Sequence, residues 1–312
     1  MIEFRQLRYF VAIVDAGSLT RASALLHIAQ PALSQQMADL EASVGVLLLN
    51  RSVKGVTPTV AGHAIYRHAQ VILHLREQTA DIAKGAASKV SGRVRLGLPS
   101  SIAMILAAPL VAHLSKKFPD ILLELYENPS GYLAAQLFEE RVDLSLLVES
   151  KVQLPGLIVR PILYEDVFFV QANSSTHPTE QQAVDLSDLT ATPMILTTRA
   201  TTLRQLVDGA CEQSKIQLKV QAEASSIQTL LTVVAEGALA TLVPYSALSW
   251  HPTTLALRLS TLTPTILRPL SIAWSRSGTI GHAADCVRDA ITEVATDLVE
   301  RGVWRGAQLY KD

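Results

Sequence analysis

Between Thr59 and Ala87 the chain contains no proline, and Ala61, Ile65, Ile72, Leu75, Ile82 and Ala86 occupy the a and d places of a heptad, with His68 and Thr79 as the polar exceptions. At 1.5 Å per residue this predicts a helix of about 40 Å. A helix of that length beside a small domain carries an apolar stripe that its own chain cannot cover. A second copy of the same helix can. The pattern therefore predicts a homodimer joined through Ile65, His68, Ile72, Leu75 and Ile82, with His68 as a polar register device. The helix also separates two segments of different character.

The segment before it reads as closely spaced helices. Leu7, Phe10, Val11 and Val14 recur at i, i+3, i+4 and i+7, and Gly17-Ser18 supplies a break and an N-cap. A second helix from Ser18 to Leu26 turns Leu19, Ala22, Leu25 and Leu26 inward. After a turn at His27-Ile28-Ala29, Pro31 takes a place that a first helical turn tolerates, and Leu33, Met37 and Leu40 mark the buried side of a third helix. Two short helices across a three-residue turn make a helix-turn-helix candidate. Leu47–Arg51 and Val56-Thr57 read as short strands around Lys54-Gly55, a wing with cations at Arg51 and Lys54.

The formal charge of the whole chain is −1, which taken alone argues against a nucleic-acid partner. The average hides an asymmetry, because residues 1–90 hold nine Lys/Arg against six Asp/Glu and the remainder 18 against 22. On the third helix Pro31, Ser34, Gln35 and Ala38 point away from the buried side and Gln30 caps the end, which leaves a small, polar, uncharged face. Such a face suits a major groove, where Gln pairs with an adenine edge, Ser reaches base or phosphate, and a helix N-terminus favours a phosphate. It equally suits the solvated side of a surface helix, and the wing cations weigh toward DNA.

Beyond Ser88–Gly92, a hinge of small and charged residues, strand and helix patterns alternate. Strands are expected at Val94–Leu98, Ile121–Tyr126, Asp143–Val148, Ile158–Leu163, Val167–Gln171, Met194–Thr197, Lys219–Glu223, Leu239–Val243 and Arg268–Trp274. Helices are expected at Ile102–Phe118, Tyr132–Glu140, Thr202–Ser214, Ile227–Glu236 and Gly281–Glu300. The layout is a parallel α/β one, long enough for two lobes with a cleft between them. A hydrophobic content of 49% with 18% charged residues excludes wholesale disorder. Cys211 and Cys286 are the only cysteines and form no CxxC pair, so no dense disulfide framework is expected, which fits a reducing compartment. The opening Met1-Ile2-Glu3-Phe4-Arg5 lacks a cationic leader with an apolar run behind it, and Pro109 interrupts the short apolar stretch Ile102–Leu114, so a cytoplasmic protein without a membrane partner is expected. Gly92 and Gly97 have the spacing of P-loop glycines, but Leu98-Pro99 follows where Lys-Ser/Thr is needed. His63, His68 and His74 do not share a helix face as metal ligands would. No cofactor and no metal are expected.

Residues 4–68, above all FRQLRYFVAIVDAGSLTRASALLHIAQPALSQQMADLEASVGVLLLNR and KGVTPTVAGHAIYRH, closely resemble the winged-helix domain of LysR-type transcriptional regulators. Within that family LHIAQPALSQQ followed by KGVTPT looks most like the nitrogen assimilation control subgroup. The runs RVRLGLPSS, FPDILLELYENPSGYLAAQL and RVDLSLLVE resemble, more weakly, the family's two-lobed effector domain, similar to periplasmic binding proteins. The resemblance implies DNA contacts at Gln30, Pro31, Ser34 and Gln35, with phosphate contacts from Arg51, Lys54 and Thr57. Many members carry Arg where this chain has Gln35, so a charge-assisted contact gives way to a neutral donor and acceptor. Ser23 replaces a more usual alanine, a change that should leave packing intact. For the effector cleft the implied positions are Ser100, Ser101, Ser130, Val148, Thr198, Arg199 and Thr202. Ser100 and Ser101 at a helix N-terminus and the Arg199 fork suit an anion. Val148, where some members have Arg, weakens the case for a dicarboxylate, and the subgroup looks able to act without an inducer.

The resulting expectation is an α/β protein with an N-terminal winged helix-turn-helix (1–58), a linker and dimerisation helix (59–88), a hinge (89–91) and an effector-binding and oligomerisation domain (92–312). Within the last, lobe I takes about 92–163 and 268–312 and lobe II about 164–267. Its partners are double-stranded DNA bound at an interrupted dyad, a second copy through the linker helix, further pairing into a homotetramer, a small anionic effector, and RNA polymerase. An enzyme would need a nucleophile, base and orienter that the sequence does not display, and a solute-binding protein would need a secretion signal and no use for residues 1–90.

Overall fold

The computed structural model describes residues 2–52, 55–85, 90–148, 155–173, 180–249, 257–276 and 281–311. Lys54, Ala86 and Lys89 lie outside the described residues, as does the side chain of Ile82. The chain divides into two compact units, one built on Met1–Ser88 and one on Lys89–Phe138 with Val142–Asp312.

The N-terminal unit begins with α1 (Phe4–Ala16), α2 (Leu19–Leu26) and α3 (Gln30–Val44), followed by the hairpin β1 (Leu49–Ser52) and β2 (Gly55–Pro58) and by α4 (Val60–Gly85). Ser18 Oγ accepts the Arg21 N–H at 3.4 Å and starts α2, while His27 in the left-handed region turns α2 into α3. Phe10, Ile13, Leu33, Met37, Leu40 and Leu48 are fully buried at the centre of one core. On α2 the expectation for Leu25 is wrong, since it is 71% exposed and Ser23 takes a buried place. Leu19, Ala22, Ser23 and Leu26 span about 100° of the wheel and Leu25 falls outside that arc. The buried Ser23 hydroxyl donates to the Thr20 carbonyl at 2.9 Å, so this hydroxyl is accommodated.

The long helix α4 carries two apolar stripes rather than one. Ala69 is buried, and Ala61, Ile65, Tyr66 and Leu73 pack against the N-terminal core. Ile72 and Leu75 stay 39% and 41% exposed, and His68 is exposed. The heptad reading therefore merges a stripe that belongs to the unit's own core with one that stays exposed among the described residues.

The C-terminal unit contains β3 (Gly92–Leu98), α5 (Ser100–Lys117), β4 (Ile121–Glu127), α6 (Ser130–Phe138), β5 (Leu144–Leu147), β6 (Leu157–Ala172), β7 (Glu180–Asp185) and β8 (Pro193–Thr197). It continues through α7 (Thr202–Gln213), β9 (Lys219–Ala224), α8 (Ile227–Ala235), β10 (Thr241–Pro244), β11 (Leu257–Thr263), β12 (Leu267–Ser275), α9 (His282–Glu300) and β13 (Ala307–Leu309). The main sheet runs β4-β3-β5-β12-β6-β11-β7, with β10 and β13 also on β6, and β8-β9 form a separate pair. The layout is mixed rather than wholly parallel. The β3–β4, β3–β5 and β8–β9 pairs are parallel, but β12 runs antiparallel to β5 and β6, and β10 and β11 run antiparallel to β6.

The two strands expected at Ile158–Leu163 and Val167–Gln171 are one continuous strand, β6. Two large hydrophobic cores form along it, beside a small cluster of Leu133, Leu137, Val142, Leu147, Leu157 and Ala273. The first takes its residues from Val94–Leu163 and Leu270–Trp304, the second from Val167–Ile266. At the point where β6 passes from one core to the other, Glu165 is fully buried. Its Oε1 accepts Arg268 Nη1 at 2.5 Å and its Oε2 accepts Trp304 Nε1 at 3.0 Å. Cys211 and Cys286 are unpaired thiols. Among the described residues no helix is long and apolar enough to cross a membrane.

Candidate nucleic-acid interface and inter-lobe cleft

The exposed side of α3 and the hairpin form one polar surface. Ala29 is the N-cap of α3, so Gln30 is not the capping residue but the first helical one, with Pro31 in the first turn. Gln30, Pro31 and Gln35 are exposed and Ser34 is half-buried, against Leu33, Met37 and Leu40 on the inner side. Because Pro31 lacks an N–H, the first turn loses one donor while the other free N–H groups still face outward. The face is not uncharged as the sequence reading has it. Asp39 is exposed one turn beyond Gln35, and Gln35 Nε2 donates to Asp39 Oδ1 at 2.9 Å.

The hairpin is fixed to α3 on one side and to α4 on the other. Glu41 Oε1 accepts the Leu48 and Leu49 N–H groups at 2.8 and 3.1 Å. Thr59 donates to the Leu47 carbonyl at 2.8 Å, and its hydroxyl oxygen accepts the Gly62 N–H at 2.9 Å, which ties the hairpin to the start of α4. Gly55 has φ +128 and a Cβ there would lie 2.6 Å from the Gly17 carbonyl oxygen, which accepts the Val56 N–H at 3.0 Å. In β1–β2, Leu49 and Val56 face the core, while Asn50, Arg51 and Thr57 are exposed. Arg51 Nη1 donates to Ser34 Oγ at 3.0 Å, so the hairpin cation and α3 meet directly. With its oxygen occupied by Arg51, the Ser34 hydroxyl keeps its proton available for an acceptor. Glu41 is a positioning residue that sequence reasoning missed, because its partners lie seven and eight positions away across a turn.

Behind this surface Tyr66 of α4 donates its hydroxyl proton to Asp15 of α1 and accepts Gln70 Nε2 at 3.0 Å. Burial first, and the Asp15 carboxylate second, push its pKa up to about 12.

In the C-terminal unit the parallel strands β3, β4 and β5 end on the same sheet edge, which places Ser100, Ser101, Ser130 and Val148 along it. Their side chains are less available than the sequence reading requires. Ser101 is buried and its Oγ accepts Arg268 Nη2 at 2.9 Å; Ser130 is buried and its Oγ accepts the Val148 N–H at 3.0 Å. The helix begins at Ser100, with Pro99 as N-cap, not near Ile102. Ser100, Thr198 and Thr202 are half-buried, and Arg199 is 80% exposed with its Nε 4.0 Å from Glu223. The loop carrying Thr198 and Arg199 is held from beneath by Arg204, which sequence reasoning missed. Buried Arg204 donates to the Thr197 carbonyl at 3.1 Å, to Glu223 at 2.7 Å and to Asp208 at 2.8 Å. Its i,i+4 spacing from Asp208 is the one sequence signal that points to it. Among the described residues no group of three or more His, Cys, Asp or Glu gathers to hold a metal ion.

Residues 4–63 match the family described as "Bacterial regulatory helix-turn-helix protein, lysR family", and residues 87–296 the one described as "LysR substrate binding domain". The nitrogen assimilation regulatory protein nac of Escherichia coli K12 is 36% identical over 247 residues, 79% of each chain. That of Klebsiella aerogenes is 34% identical over 304 residues, 96% of each chain. The solved structure of full-length CbnR complexed with its target DNA aligns with a TM-score of 0.72 at 22% identity, over 95% of this chain and 99% of that one, a likeness of fold alone.

Proposed function

Because the chain belongs to the LysR family of bacterial helix-turn-helix regulators, we propose that this transcriptional regulator reads double-stranded DNA with the exposed face of α3 and steadies itself on phosphates with the hairpin. The observation that carries the reading is the joint surface of Gln30, Pro31, Ser34 and Gln35 with Arg51, where Arg51 donates to Ser34 at 3.0 Å. Base edges fall to Gln35 and Gln30, phosphates to Arg51, Thr57 and Lys54. The solved complex of CbnR with its target DNA supports a DNA-bound state for this architecture.

The uncovered stripe of Ile72 and Leu75 supports a homodimer through α4, whose two-fold symmetry calls for two half-sites of an interrupted dyad, and the C-terminal units pair further into a tetramer. In that reading residues 1–58 are the DNA-binding head, 59–88 the linker and 92–312 the regulatory part, with RNA polymerase as a partner on DNA. The Ser100, Thr198, Arg199 and Thr202 side chains face an anionic effector between the lobes, and the cleft binds a ligand without turning it over. DNA as partner places the protein in the cytoplasm. The test is genome-wide mapping of bound sites followed by mobility shifts with the purified chain. Discrete sites bound more tightly than scrambled competitor are expected, and uniform binding to both overturns the reading.

A further inference from the structure

Asp39 stands on the proposed DNA-reading face with no cationic partner within 4 Å among the described residues, and its carboxylate takes the Gln35 amide nitrogen at 2.9 Å. We propose that Asp39 is a positioning residue that makes Gln35 select adenine against guanine, an inference that rests on the reading of α3 as the base-reading helix. A carboxylate only accepts hydrogen bonds, so the amide must turn its NH2 group, never its oxygen, toward Asp39. What then faces away from the helix is the carbonyl oxygen and one remaining N–H. Adenine presents the complementary pair in the major groove, an N6–H donor and the N7 acceptor. Guanine presents two acceptors, N7 and O6, so one of them meets the amide oxygen and the carboxylate behind it. Cytosine offers the carbonyl oxygen a single N4–H partner, and thymine offers it none. The negative charge also opposes the phosphates on every sequence, so selectivity is gained at the expense of overall affinity.

The experiment selects bound sequences from a randomised double-stranded DNA pool with the full-length chain and with the variants Gln35→Ala, Asp39→Ala and Asp39→Glu, and measures binding to random DNA alongside. An exposed i,i+4 pair of this kind contributes little to stability, so the variants should keep the wild-type fold, checked by circular dichroism. The wild-type chain should enrich adenine at a position that Gln35→Ala makes indifferent. At that position Asp39→Ala should lower the adenine-to-guanine ratio about tenfold, the scale of one good base contact, while binding random DNA more tightly. A purely structural role for Asp39 would instead weaken binding everywhere. Asp39→Glu, which keeps charge and acceptor, should retain the adenine preference. A Gln35-dependent position whose base preference is unchanged in Asp39→Ala, or one that prefers guanine, overturns the positioning role alone. A wild-type chain that enriches no motif overturns the DNA-reading function itself.

Discussion

Glu41 holds the hairpin with one carboxylate oxygen that receives two backbone N–H groups, Leu48 and Leu49. Removing it leaves both donors without that partner at a half-buried junction, so Glu41→Ala should cost about 1–3 kcal/mol in the N-terminal unit, read from urea melts, with Glu41→Gln recovering part of the loss. Arg51 works outward. Arg51→Ala should weaken binding to all DNA roughly equally and flatten the salt dependence by about one unit, whereas sequence-selective losses would contradict a phosphate role. Tyr66 gives a pH signature. Its folded pKa of about 12 lies above the ordinary 10.0, so the fold favours the protonated phenol. That contribution is complete below pH 10 and is lost as the pH rises toward 12. The stability difference between wild type and Tyr66→Phe should therefore be constant at pH 8–9 and shrink above pH 10 in denaturant titrations. Of these residues Arg51 is legible in the sequence because a hairpin tip advertises its cation. Glu41, Asp39 and Tyr66 are not, since their roles depend on partners that only the fold brings within reach or on a side-chain orientation that periodicity leaves unspecified.

The heptad in α4 is visible in sequence, but its assignment to a single seam is not. Ile65 lies near the border of two arcs, and only packing on α1 separates the inner Ala69 and Leu73 from the outer Ile72 and Leu75. Ile72→Asp should therefore abolish dimerisation and operator binding while leaving the N-terminal core folded, measured by sedimentation and mobility shift. A fully dimeric Ile72→Asp would place the main contact elsewhere. The hairpin carries a separate constraint: with a positive φ and the Gly17 carbonyl 2.6 Å from any Cβ, Gly55→Ala should destabilise the unit by about 1–3 kcal/mol. Most helices and central strands of the C-terminal unit follow from periodicity, because their buried faces repeat regularly. What periodicity cannot show is that Tyr164-Glu165-Asp166, which read as a break between two strands, continues one strand. A buried carboxylate looks like a turn residue until its cation, 103 positions away, is in place. The short edge strand β13 carries too few residues for its pattern to stand out.

Across the whole molecule the N-terminal core and the two large C-terminal cores are built from separate stretches of chain, and the large C-terminal pair shares β6 and the Glu165 knot. Burial drives the Arg268 pKa down and the facing Glu165 carboxylate holds it up, so each charge depends on the other for remaining in the interior. Truncating either partner strands an ion, and Glu165→Ala or Arg268→Ala should destabilise the C-terminal unit by about 3–5 kcal/mol. Replacing both together, Glu165→Leu with Arg268→Met, removes the stranded charge and leaves only the Trp304 indole N–H and the Ser101 hydroxyl to find new partners. The double variant should therefore cost less than either single truncation, a coupling that calorimetry reads directly. The same scan should show the transition of the N-terminal unit unmoved, because Glu165, Arg268, Ser101 and Trp304 all belong to the C-terminal unit. A single transition that falls as a whole would mean that the two units unfold as one cooperative body.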